Sequence, residues 1–287
     1  MRKVLISVAL ILLLVSSVSF ASQNIALVYN VMPDFQNGQA IDSTHTNKIG
    51  FSLFESGETL YHNGKQLEVK ENRFFIDTKG LSGENTFEIT NLENEKVSYT
   101  YYFSNKAGYL PSYSMNELKN KNYKTYIKTI RNISVIYTEK DSNSISKIEK
   151  IISNLDENII RNVTEIKLIP ANHTSHAAGI TKYDKITLYN ISSYSTQTIK
   201  NIVIHEIAHT WAFTLMQNKV IDYSYSDYKL AVNKDTRFPS KYAKENVEAG
   251  NYNEDFAESI SFYLINEKTF SNKYPARTEY IKEIIKK

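Results

Sequence analysis

The sequence predicts an α+β protein in which an all-β segment precedes a segment of mixed strands and helices. Between residues 22 and 110, short runs of β-branched and aromatic residues alternate with turn formers, which is typical of strands. Beyond residue 111, strand-like runs alternate with segments of helical periodicity. Two of these helical segments carry histidine or glutamate pairs at four-residue spacing in otherwise apolar sequence. These pairs are the candidate functional groups.

Residues 1–21 have the three-part pattern of a secretory signal peptide. Arg2 and Lys3 supply the positive charge, residues 4–15 are almost wholly apolar, and Ser19–Phe20–Ala21 matches a small-x-small cleavage site. The apolar run is shorter than the roughly 20 residues that span a bilayer, which favours cleavage over a permanent membrane anchor. We therefore expect a secreted, extracellular protein, either free or held at the cell surface, with no stable membrane insertion.

Composition excludes several classes of function. Without Arg2 and Lys3, the formal net charge falls from +3 to +1. A nearly neutral chain has no electrostatic basis for binding nucleic acid or an anionic membrane. The chain contains no cysteine, which excludes disulfides, thiolate metal ligands and a cysteine nucleophile. We therefore expect no nucleic acid as a partner, and we expect the chain to be a monomer.

The first segment, residues 22–110, is predicted to be an Ig-like β-sandwich module, because its strand candidates recur at intervals close to those of a sandwich. Asn63–Gly64 predicts a tight hairpin, since this dipeptide accepts positive φ values. His45 and His62 are isolated from other potential ligands, so we expect surface or turn positions for both. The strand candidates read IALVYNV, KIGFSLFE, TLYHNGKQLEV, RFFIDT, TFEITNL and VSYTYYFS.

The second segment, residues 111–287, is predicted to form a small mixed sheet with packed helices. Residues 144–162 place isoleucine and leucine at three- and four-residue steps, which predicts one amphipathic helix. Alternating residues on both sides of Tyr183–Asp184–Lys185 predict a hairpin. The other elements expected are strands at 132–138 and 165–170, the two arms of that hairpin at 179–190, and helices at 198–217 and 251–266.

The motif that carries chemistry is His205–Glu206–Ile207–Ala208–His209, inside the predicted helix 198–217. Positions four apart share a helix face, so the imidazoles of His205 and His209 can meet one ion. Glu206 is rotated by about 100° and can flank that ion without binding it. Most other side chains of this helix are apolar, and burying ionisable groups among them is costly unless a partner pairs them. A divalent cation does so, and zinc suits nitrogen and oxygen ligands.

A catalytic zinc ion has three protein ligands and one position for water, so a third ligand is expected. Glu254, in the predicted helix 251–266, is the candidate. Glu258 shares its helix face and is expected to accept the second ring N–H of a ligand histidine. Two alternatives need no metal: acidic residues are favoured at a helix start by the helix dipole, and backbone carbonyls can satisfy a buried histidine pair. His173 and His176 are expected to be exposed loop residues near the cleft.

These motifs resemble those of a gluzincin-type zinc metallopeptidase. The chain is most similar to the group of secreted bacterial proteases that includes the anthrax lethal factor catalytic domain and the Pro-Pro endopeptidases. In that group a Ser-x-Tyr segment and a Glu-x-Phe-Ala-Glu helix follow the zinc helix. Here Ser240–Lys241–Tyr242 and Glu254–Asp255–Phe256–Ala257–Glu258 match them. The resemblance covers roughly residues 112–287, and the spacing from Tyr242 to Glu254 is longer than expected for the group.

The resemblance implies a zincin-like catalytic domain that hydrolyses peptide bonds as an endopeptidase, so that the implied partner is a protein or peptide substrate. Glu206 would be the general base and Tyr242 would stabilise the oxyanion. A strand before the zinc helix lines the cleft in this group, and residues 184–190 are expected to take that place and pair with extended substrate. The implied ligands of the one zinc ion per chain are His205, His209 and Glu254.

Two other functions remain open from the sequence. The first is a non-enzymatic surface or adhesin-like binding protein with a structural zinc site. The presence of Glu206 argues against this function, because a structural zinc ion is bound by four protein ligands and needs no general base. The second is a zinc amidase acting on cell-wall peptides, which would use the same centre on a different substrate.

Overall fold

The computed structural model describes residues 37–52, 58–68, 73–118 and 123–286. The predicted signal peptide and the first strand candidate, IALVYNV, lie outside the described residues. The chain divides into two compact units, Met1–Tyr113 and Ser114–Lys287. Across the described ranges, no helix combines the length and apolar character needed to cross a membrane.

The described part of the first unit is built of β-strands in two sheets. One sheet has the order β1-β7-β6-β3-β4, and β2 pairs with β5 in the other. Phe51 from one sheet and Phe87 and Tyr101 from the other meet in one buried core. The predicted Asn63–Gly64 turn joins β3 to β4, with φ of 49° and 79°. The strands are β1 (Ala40–Ile41), β2 (Lys48–Ser52), β3 (Thr59–His62), β4 (Lys65–Leu67), β5 (Arg73–Asp77), β6 (Gly83–Thr90) and β7 (Lys96–Phe103).

The second unit is a five-stranded mixed sheet with packed helices, so the structure as a whole is α+β. The sheet order is β11-β12-β10-β9-β8. Its strands are β8 (Thr125–Ile130), β9 (Ile133–Thr138), β10 (Glu165–Ile169), β11 (Gly179–Lys182) and β12 (Lys185–Tyr189). Its helices are α1 (Ser142–Ser153), α2 (Glu157–Ile160), α3 (Thr196–Gln217), α4 (Ser226–Asp235), α5 (Lys241–Glu248), α6 (Tyr252–Ile265), α7 (Glu267–Lys273) and α8 (Pro275–Ile285). Short 3-10 helices lie at Asn116–Leu118, Glu139–Asp141 and Ile191–Ser193.

The helix predicted over residues 144–162 is two helices in the structure. α1 ends at Ser153, and the Asp156 side chain starts α2 by accepting a hydrogen bond from the N–H of Asn158. Asparagine and aspartate favour such local turns because their side chains bond nearby backbone groups. The isoleucine spacing continues across the break because Ile152 and Ile159 both pack into the same core. Spacing alone therefore did not show where the helix stops.

The strand expected to meet substrate, residues 184–190, does not lie at the edge of the sheet. β12 occupies this segment and pairs in parallel with β10 and antiparallel with β11. β11 is therefore the edge strand, and it packs beside α3. The prediction was wrong because alternation identifies the two arms of a hairpin but does not say which arm is outermost in the sheet.

A buried ionic network fixes α6 against α4 and α8. Arg277 is fully buried, and its Nε and Nη2 donate to Oδ1 and Oδ2 of Asp255 at 2.9 and 3.0 Å. Its Nη1 lies 3.3 Å from Oδ2 of Asp235. The Tyr228 hydroxyl donates to Oδ1 of Asp255 at 2.6 Å. Burial alone would lower the pKa of Arg277, but Asp255 and Tyr228 together outweigh burial and raise that pKa. The guanidinium therefore stays charged.

We expect Arg277→Met to lower the free energy of unfolding by about 3–5 kcal/mol, because two buried carboxylates lose their counter-charge. Urea denaturation followed by circular dichroism measures this change. Lys282→Met is the matched control, since Lys282 pairs with Glu267 at a half-exposed position and is expected to contribute only about 0–1 kcal/mol. Equal effects of the two variants would contradict a stabilising role for the buried network.

Candidate metal centre

The centre begins on α3, whose N-terminus is capped by Ser195. The Ser195 hydroxyl oxygen accepts a hydrogen bond from the N–H of Thr198 at 3.2 Å. Buried residues such as Ile204 and Ile207 pack the helix into the core. The opposite side of the same turns presents His205 and His209, whose Nε2 atoms are 3.1 Å apart. The helical spacing therefore does bring the two imidazoles together.

Glu254, in the first turn of α6, completes a triangle with the two imidazoles. Its Oε2 atom lies 3.2 Å from Nε2 of His205 and 3.4 Å from Nε2 of His209. Three ligand atoms of a tetrahedral ion at about 2.0–2.1 Å are separated by about 3.3–3.4 Å. The triangle thus has the size of one face of a coordination tetrahedron. Within the described ranges, these residues form the group of His and Glu side chains that could hold a metal ion.

The charges at the centre favour a cation. Three carboxylates, those of Glu206, Glu254 and Glu258, act on His205, and Glu254 also contacts His209. Burial alone would lower the pKa of His205, but its contacts with Glu254 and Glu258 outweigh burial and raise this pKa to about 9. Burial would raise the pKa of Glu254, yet His205 and His209 hold it below its usual value. The surplus negative charge attracts a proton, and a divalent cation would satisfy the same groups more fully.

Glu258 lies one turn after Glu254 on α6 and contacts the other side of the His205 ring. Its Oε1 atom is 3.3 Å from Nδ1 of His205. The structure therefore places Glu258 beside one of the two imidazoles, with Nε2 of that ring directed to Glu254. A carboxylate in this position can orient the ring and increase the basicity of Nε2.

Glu206 is almost completely buried between α3 and the edge strand β11. The Thr181 hydroxyl donates to its Oε2 atom at 2.7 Å. Its carboxylate also lies against Gly179, where a Cβ atom would be 2.5 Å from Oε1. Sequence reasoning missed both of these neighbours. The available signal was strand alternation, which places residues 179 and 181 on the same face of β11.

Tyr242, the second residue of α5, lies beside the triangle. Its ring centroid is 6.5 Å from that of His205, and its side chain lines the larger cavity together with Glu254. Burial and the charge of Glu254 raise the pKa of Tyr242 to about 12. The phenol is therefore protonated at neutral pH and can donate a hydrogen bond. The structure brings this residue to the centre despite the long spacing between Tyr242 and Glu254.

The remaining histidine pair lies in the loop between β10 and β11. His173 is half-buried, and its Nδ1 atom forms a hydrogen bond with the Ser175 hydroxyl at 2.7 Å. His176 is exposed and lines a cavity next to the centre. His176 therefore lies beside the cleft as expected, whereas His173 is less exposed than predicted and is not among the residues that line this cavity.

Two cavities meet at the centre. One, of about 730 Å³, is lined by β11 and by aromatic side chains that include Phe213, Tyr223 and Tyr225. The other, of about 480 Å³, is lined by residues 175–179 and by residues of α3 and α6. The lining common to both consists of Ala177, Gly179, His205, Glu206 and Tyr242. A long ligand that fills both cavities would therefore pass directly over the candidate metal centre.

Neither the models of known protein families nor the curated protein sequences give a match to this chain. The functional interpretation therefore depends on the geometry described above.

Proposed function

We propose that this protein is a secreted zinc-dependent endopeptidase. The second unit would be a zincin-like, gluzincin-type catalytic domain, and the first unit an Ig-like sandwich that binds or acts as a spacer. The observation that carries the proposal is the triangle of His205, His209 and Glu254 with the buried carboxylate of Glu206 beside it. The larger cavity is lined by all four residues, and the smaller one by His205 and Glu206.

The number of ligands favours a catalytic site over a structural one. The described residues supply three grouped ligand atoms, which is the usual protein contribution to a catalytic zinc ion. A structural zinc ion has four protein ligands and no need of a neighbouring base. The arrangement thus supports an enzyme more strongly than an adhesin-like protein.

The residues around the triangle supply what peptide hydrolysis requires. A bound zinc ion lowers the pKa of water and polarises a carbonyl oxygen. Glu206 would accept a proton from the attacking water and later donate it to the leaving amine. The protonated phenol of Tyr242 would donate a hydrogen bond to the developing oxyanion. Glu258 would hold the His205 ring in place through Nδ1.

The edge strand supports a peptide as substrate. β11 lines the larger cavity along its whole length, from Gly179 to Lys182. An exposed edge strand can bind an extended peptide by main-chain hydrogen bonds, while neighbouring cavities accept its side chains. This role was expected of residues 184–190, and we now propose it for β11.

We expect the purified chain to bind one zinc ion, and Glu254→Ala to lose it. Glu258→Gln removes only a neighbour of the ligand His205, so it should weaken zinc binding by about 10- to 100-fold. Competition with a chromogenic chelator measures both affinities. Glu245→Gln is a control, because Glu245 is an exposed residue of α5 paired with Lys241. A wild-type chain without stoichiometric zinc would contradict the proposal.

We expect Glu206→Gln to retain zinc and to lose peptide hydrolysis by at least about 100-fold, because the amide cannot accept the proton. Digestion of a proteome-derived peptide library, analysed by mass spectrometry with and without chelator, measures this loss. A parallel digestion of peptidoglycan separates an endopeptidase from a cell-wall amidase. Peptidase activity that survives in Glu206→Gln would refute the general-base role.

A further inference from the structure

We propose that the edge strand β11 positions the Glu206 carboxylate. Thr181 donates a hydrogen bond to this carboxylate, and Gly179, which has no side chain, leaves the space in which the carboxylate lies. This inference rests on the proposed function, since it concerns the orientation of the proposed general base. It assigns a positioning role to two residues that bind neither the metal ion nor the reacting atoms.

Thr181 holds Glu206 by two contacts of one hydroxyl group. Its Oγ1 atom lies 2.7 Å from Oε2 and 3.0 Å from the backbone carbonyl oxygen of Glu206. Because the hydroxyl has one proton, this donation is shared, with the shorter contact to the carboxylate oxygen and the longer one to the backbone of the helix that carries both histidines. Threonine has few rotamers because its Cβ is branched, so the hydroxyl is well placed before any substrate arrives.

Gly179 provides the space in which the carboxylate lies. A Cβ atom at this position would be 2.5, 2.6 and 2.7 Å from Oε1, Cγ and Cδ of Glu206. These distances are far shorter than a van der Waals contact, so any other residue here would displace the carboxylate. The atoms that this Cβ would meet all belong to the Glu206 side chain, so we expect the side chain, and not the backbone, to shift.

The same two residues also have backbone groups directed to the open edge of the sheet. The N–H of Tyr189 donates to the carbonyl oxygen of Ala178, so the backbone of residue 178 faces β12. Because antiparallel partners alternate, the backbone groups of Gly179 and Thr181 face away from β12. A peptide added at this edge would bond to these residues. The register of the substrate and the position of the base would thus be set by one short strand.

The first test is Thr181→Val, which removes the hydroxyl at nearly constant volume. We expect kcat to fall by about 10- to 100-fold, because a misplaced base costs about this much, while KM and zinc affinity stay unchanged. Thr181→Ser should restore most of kcat, since it returns the hydroxyl. Thr187→Val, on the adjacent strand β12, is the matched control and should leave kcat unchanged.

The second test is Gly179→Ala. We expect a similar loss of kcat with little change in urea denaturation, and a crystal structure of this variant should show the Glu206 carboxylate displaced from β11. A loss of global stability comparable to the loss caused by Arg277→Met would indicate a structural role instead and would overturn the inference.

The outcomes separate this inference from the proposed function. If Glu206→Gln is inactive while Thr181→Val and Gly179→Ala keep full kcat, β11 does not position the base, and the proposed function stands. If the wild-type chain cleaves no peptide, the proposed function fails. Crystal structures of the two variants then decide the inference, because an unmoved Glu206 carboxylate in both would overturn it.

Discussion

The approach of α6 to α3 is the constraint on which the candidate centre depends. It brings Oε2 of Glu254 within 3.4 Å of both imidazoles and leaves Glu258 against the far side of His205. Such a cluster is unfavourable by itself, since buried carboxylates repel one another and lose their hydration. Its compactness is understandable if a cation belongs among these groups. The sheet and the other helices then hold the histidine-bearing face of α3 against the Glu254-bearing face of α6.

The network of Arg277 explains how α6 is held close to α3 although this approach brings carboxylates together. Asp255 follows Glu254 directly in the sequence, and its carboxylate is bound by both the guanidinium and the Tyr228 hydroxyl. Glu254 points to α3, whereas Asp255 points to α4 and α8. Two adjacent acidic residues thus have opposite partners, which fixes the rotation of the first turn of α6. A centre whose geometry must be accurate to fractions of an ångström needs such support behind its ligands.

What the sequence could predict depended on how far apart the interacting residues lie in the chain. His205, Glu206 and His209 belong to one helix, so helical geometry alone places them. The helix 251–266 was predicted from its apolar residues, and Glu254 was chosen because a third ligand was needed, since periodicity alone does not say which helices touch. β8 was not predicted, and helix 144–162 was predicted without its break at Asp156. The metal-binding and catalytic roles of the site residues are proposals, although the structure brings their side chains together.

The contacts of Glu206 show why a motif describes a site incompletely. Thr181 precedes Glu206 by 25 positions and meets it only because β11 is the outer arm of the hairpin. If β12 were the outer arm, as expected, Thr181 would lie inside the sheet and a different strand would face α3. The hydroxyl that holds the carboxylate is therefore selected by strand order. Strand order depends on packing of the whole sheet, and it cannot be predicted from the spacing of residues within one segment. The helix motif is therefore enough to identify Glu206 as the proposed base, whereas the residues that surround it are determined by the fold of the whole sheet.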